Sequence, residues 1–181
     1  MTWDAFHRRG EVLRNVLEYA EAHRDGRLPM ELPGVAETFG DESALLGTLQ
    51  LRWHTRLAGT IERELMERPM DLEPAVIAAW RKTATDLAGV RAILDAHSAE
   101  PISADMARML DTAHRKDWTL MAAMAGKASP SDSGAARVGQ RIEQKAREAY
   151  RPTAHPGAAG RRRAVPARPS VLDRVKAHLV A

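Results

Sequence analysis

Apolar residues recur along this chain three and four positions apart and nowhere in strict alternation, a pattern that predicts helices and no strands. A first helix is expected over about Thr2–Arg24, with Trp3, Phe6, Val12, Leu13, Val16, Leu17 and Ala20 on one side and Gly26 as its stop. A second runs from about Asp41 to Glu67 on the stripe Leu45/Leu46, Leu49, Trp53, Leu57, Ile61 and Leu65, and Pro69 ends it. A third is expected as one continuous helix to about His97, with Asp71 as its cap and Glu73 and Pro74 in its first turn. A fourth spans about Ser103–Ala125, capped by Ser103, with Met106, Met109, Leu110, Leu120 and Met121 facing inward. The connection Arg27–Gly40 holds Met30, Leu32, Val35 and Phe39. It is too apolar for a solvated loop and is expected to pack on the body.

At 1.5 Å per residue the four helices are each roughly 33–40 Å long. Similar lengths and two short connections predict an antiparallel four-helix bundle over residues 1–127. One Trp per helix (Trp3, Trp53, Trp80, Trp118) fits the wide gaps of such a core. A Ser/Pro/Gly break at 129–134 then opens a segment, 128–151, holding a fifth amphipathic helix with Val138, Ile142, Ala146 and Tyr150 on one face. Residues 152–170 are rich in Pro, Gly, Ala and Arg, a composition that predicts disorder. Ser170-Val-Leu-Asp173 resembles a capping box and starts a short terminal helix with Val171, Leu172, Val175 and Leu179 on one side. Residues 152–181 thus read as a Pro/Arg-rich arm that ends in a docking helix.

Charge changes with position in the same way. Residues 1–127 carry 16 Lys+Arg against 20 Asp+Glu, whereas residues 128–181 carry 11 against 4. An acidic body therefore bears a basic arm, sharpest at Arg161-Arg162-Arg163. The chain has no cysteine, which excludes disulfides and thiolate chemistry. Its charged first ten residues lack an apolar leader core, and no apolar run approaches the roughly 20 residues of a membrane span. These features together predict a cytoplasmic protein with no membrane span.

Catalytic signatures are absent: there is no P-loop, no dinucleotide glycine fingerprint, no His-Glu-x-x-His and no Gly-x-Ser-x-Gly. The seven histidines include no Glu-x-x-His pair, so neither a di-iron site nor any other metal or cofactor is expected. One oddity is the full polar turn His114-Arg-Lys-Asp117 on the fourth helix, matched by His7-Arg-Arg-Gly-Glu11 on the first. If those helices are antiparallel neighbours, His7, Glu11, His114 and Asp117 form a polar layer. The Arg and Lys stems alone would make the same turns by lying along the core.

The pattern as a whole predicts a non-enzymatic protein–protein interaction or adaptor protein. A helical scaffold would present Val171, Leu172, Val175 and Leu179, steered by Arg161, Arg162 and Arg163, to a protein partner or to another copy. Two further readings stay open. The arm would bind nucleic acid without sequence preference, although no aromatic residue lies beyond Tyr150 to stack on bases. Or the polar layer would hold a small ligand or metal, with enzymatic activity as its extension.

Overall fold

The structure is a computed structural model that describes residues 3–150, with side chains from residue 7 onward. The described residues form helices only: α1 Trp3–His23, α2 Val35–Phe39, α3 Glu42–Glu67, α4 Leu72–Asp86, α5 Ala88–Ala99, α6 Ala104–Met124 and α7 Ala135–Glu148. The expected all-helical class is what the chain adopts. The bundle itself is more elaborate than four long helices. α3 is central and contacts α4, α5 and α6; α7 lies against α6 and α4, and α1 against α5 and α2.

The predicted stripe of α3 is the heart of the core. Leu45, Leu46, Leu49, Trp53, Leu57 and Ile61 are buried, and Leu65 packs at the edge. Trp53 and Trp80 meet edge to face at 5.8 Å, and Tyr150 continues the row against Trp80 at 5.7 Å, a favoured geometry for ring quadrupoles. α7 belongs to this core through Ile142 and Ala146. The connection before α3 packs as expected. It buries Val35 and Phe39 and forms α2, and Arg9 lies 4.7 Å from the Phe39 ring and donates to the Thr38 carbonyl.

The cap expected at Ser103 is present, the one expected at Asp71 is not, and Asp41 caps α3 without being singled out by the sequence. Asp41 accepts from the Ala44 N–H at 2.8 Å and Ser103 from the Met106 N–H at 3.1 Å. Both cap residues have extended backbones, with ψ of 171° and 160°. Asp71 has ψ of 58° and makes no side-chain cap bond, because that turn does not aim its carboxylate over the first N–H groups.

The expected single helix over 71–97 is divided at Leu87 into α4 and α5. Two effects combine there. Thr83 and Thr85 hydroxyls bond back to the carbonyls of Ala79 and Arg81, a habit that bends helices. At Gly89 the backbone of α1 comes so close that a Cβ would stand 2.1 Å from the Ala20 carbonyl oxygen, and the Gly89 N–H is accepted by Glu21 from α1 at 3.1 Å. A neighbouring helix thus satisfies the exposed donor that the break creates.

Candidate functional site

The polar turn of α6 divides its side chains by direction. Arg115 and Lys116 point outward, His114 lies half-buried beside Trp118, and Asp117 points into the body toward α3. On α3, Gln50 and His54 are one turn apart and border the buried stripe. Gln50 Nε2 donates to Asp117 Oδ2 at 2.9 Å, and His54 Nδ1 lies 2.5 Å from Asp117 Oδ1. With the carboxylate as acceptor, Nδ1 carries the proton and Nε2 is the remaining ring nitrogen.

The Asp117 side chain is only 6% exposed. Burial pushes its pKa above the ordinary aspartate value, against the opposing pull of His54 and Gln50. The Gln50 oxygen Oε1 is buried and has no hydrogen-bond partner. Above this trio runs a groove of about 560 Å³ between α3 and α6, apolar at Leu51 and Met109 and cationic at Arg108 and Lys116. Arg108 is paired with Asp105; no such pair engages Lys116 among the described residues.

The layer expected from His7, Glu11, His114 and Asp117 is not what forms. His7 and Glu11 are exposed on α1, which packs on α5 and α2, whereas α6 packs on α7, α3 and α4. α5 and α2 occupy the flank of α1 where α6 was expected, so the polar turn of α6 finds α3 instead. The four fall as two pairs, His7 and Glu11 one turn apart on α1 and His114 and Asp117 one turn apart on α6. Gln50 by itself carries no mark in the sequence, and His54 stands there only as one of seven histidines weighed as metal ligands. Their one joint signal is an i, i+4 polar pair directly beside Leu49, Trp53 and Leu57. Arg161, Arg162, Arg163, Val171, Leu172, Val175 and Leu179 lie outside the described residues.

A second polar system ties the helices together behind the groove. Arg91 is almost wholly buried, with its guanidinium 4.7 Å from the Trp53 ring and Nη2 2.8 Å from Asp95 Oδ1. That pair is electrostatic rather than a well-angled hydrogen bond, since Arg91 Nε and Nη2 have no hydrogen-bond partner. Arg147 of α7 grips the same Asp95 with two donors at 2.9 and 3.2 Å, reaches Glu143 at 2.7 Å and lies 5.0 Å from the Trp80 ring. Glu143 also accepts the Trp118 indole N–H. Burial alone would raise the Asp95 pKa, but Arg91 and Arg147 outweigh it and hold the carboxyl below its usual value. Burial, followed by the charge of Arg91, pushes His114 down. Arg91–Asp95 and Arg147–Glu143 lie within α5 and α7, whereas Arg147–Asp95 joins α7 to α5 and Trp118–Glu143 joins α6 to α7, so the network serves packing.

A third feature lies where the described chain ends. The groove between α1 and the α4–α5 junction, about 450 Å³, is apolar at Leu17, Leu87 and Val90 and carries Glu18, Glu21, Asp86 and Arg24. Tyr150 adjoins it, with its hydroxyl donating to the Ala84 carbonyl at 2.9 Å and the charges of Glu21 and Arg24 within reach. Among the described residues no three His, Asp or Glu side chains gather as metal ligands, and no helix is long and apolar enough to cross a membrane. Comparison of the chain with protein-family models, with curated proteins and with solved structures finds no match in any of the three.

Proposed function

We propose that this chain is a non-enzymatic interaction protein whose helical body is a scaffold and whose residues 152–181 make the contact. The observation that supports this reading is a complementarity of charge and polarity around Tyr150. The body through residue 150 carries 23 acidic and 20 basic residues, and the remaining 31 carry one acidic and seven basic. The described hydrophobic core runs through residues 12–150. Beside the point where the arm begins lies an apolar groove bordered by Glu18, Glu21, Asp86 and Arg24. Glu21 is paired to Arg24 and Asp86 to Arg56, so that Glu18 is its acidic group without an ion pair among the described residues. That chemistry suits a segment with Val171, Leu172, Val175 and Leu179 as anchors and Arg174 and Lys176 between them. In this reading segment 171–179 rests in its own groove, and a protein partner offering a similar acidic, apolar groove competes for it.

The test is a titration of a labelled peptide of residues 152–181 into the body, residues 1–151, at low and high salt. Binding should vanish with Leu172→Asp plus Val175→Asp in the peptide and fall with Leu17→Asp in the groove. Neutralising Arg161, Arg162 and Arg163 should chiefly slow association and reduce its salt dependence. If the arginine variant abolishes binding while the apolar variant retains it, the arm is a polyanion binder and the reading fails. A second reading, a small-ligand site, is favoured by the buried Gln50–Asp117 pair and the partly exposed His54 beside it.

A further inference from the structure

We infer that the groove between α3 and α6 is a binding site for a small amphipathic anion that carries a hydroxyl or N–H donor. This goes beyond the interaction role of the arm and does not depend on it. The floor of the groove supplies the first half of the argument. Gln50, which lines the groove, is 5% exposed, and its amide is oriented with Nε2 committed to Asp117, which leaves Oε1 buried without a partner. A buried acceptor without a donor is costly, and a ligand hydroxyl or N–H relieves that cost. Turning the amide over would not, because it would set Oε1 against the Asp117 carboxylate.

The walls and rim supply the second half. Leu51, 64% exposed, and Met109 offer an apolar surface, and Lys116 at the rim is a cation without a carboxylate partner among the described residues. Arg115, next on the same helix, is already paired with Asp111. A volume of about 560 Å³ lies within the usual range for small-molecule pockets. The cationic rim also disfavours the chain's own basic arm, which matches the acidic groove on α1 instead. Donor, apolar body and anionic end therefore follow from three different residues: Gln50, Met109 with Leu51, and Lys116.

The experiment uses the full chain and three probes in calorimetric or NMR titrations. 4-Hydroxyphenylacetate carries all three features, phenylacetate lacks the donor, and 4-ethylphenol lacks the anion. The complete probe should bind tightest, and removal of either polar group should weaken binding by about fivefold, the worth of one hydrogen bond or ion contact. Lys116→Ala, an exposed substitution that leaves the fold alone, should weaken both carboxylates and leave 4-ethylphenol unchanged. Gln50→Leu should weaken both phenols and leave phenylacetate unchanged, with its melting temperature recorded alongside. Three outcomes overturn the inference: no saturable binding of any probe up to about 10 mM, equal affinities for all three, or Lys116→Ala acting equally on the charged and uncharged probes.

Discussion

The tightest approach at any described glycine gives the sharpest test of packing. At Gly139 of α7 a Cβ would stand 1.8 Å from the Trp118 carbonyl oxygen and 2.4 Å from its carbonyl carbon. Real Cβ contacts do not fall below 3.0 Å, so Gly139→Ala forces α6 and α7 apart by roughly 1 Å at that level. Both partners are helical backbone, so no side chain can swing aside. The displacement loosens Ile142 and Ala146 from the core and disturbs the Trp118–Glu143–Arg147 chain of contacts. Overpacking of this kind costs about 1–3 kcal/mol and more where backbone is involved, while Ala in a helix returns about 0.5–1 kcal/mol over Gly. The expected net loss is about 2 kcal/mol or more, which for a chain of this size lowers the melting temperature by about 4–8 °C. Gly59, also within a helix, has no neighbour within 4 Å of a built Cβ, so Gly59→Ala should instead gain about 0.5–1 kcal/mol. Thermal and urea melts of the two variants measure both values. If Gly139→Ala proves as stable as the parent, the packing of α7 on α6 described above is wrong.

Two further substitutions probe the buried charges. Asp117→Asn should stay within about 1 kcal/mol of the parent at pH 7, because the Gln50 amide can turn so that Oε1 accepts from the new amide, whereas Asp117→Ala should lose about 1–3 kcal/mol by leaving Gln50 and His54 unpaired. Since burial raises the Asp117 pKa, this group's contribution to stability falls as pH rises from its ordinary value of 3.8 through the folded value; urea melts across that range should show the slope vanish in the Asn variant, and equal losses for Asn and Ala would refute the account. Asp95→Asn should cost about 1–3 kcal/mol at pH 7, less than for a fully buried pair because Asp95 is 42% exposed. Its pKa is lowered, so the stabilisation is present above 3.8 and lost as pH falls through the folded value; the gap between parent and variant should close in melts on acidification, and a gap that persists would show that Asp95 acts by packing and not by charge.

The sequence by itself determined the helical class, the inward face of α3 and the cap at Ser103, because spacing and capping act within a few residues of chain. It also marked the turn around Asp117 as anomalous, since four consecutive polar residues on a helix cannot all face solvent. The tertiary structure decided whatever depends on lateral neighbours. The break at Leu87 has no Pro or Gly–Pro signal; it arises where α1 approaches Gly89 and Glu21 accepts the freed N–H. Asp71 has a cap residue's identity without a cap's dihedral angles, which the adjoining turn imposes. Asp117 points toward α3 and not α1 because α1 is occupied by α5 and α2, and only that choice makes Gln50 and His54 its partners. Periodicity states which face of a helix is buried; which helix covers that face is settled by all seven competing for contact at once, and the site between α3 and α6 exists only as the outcome of that competition.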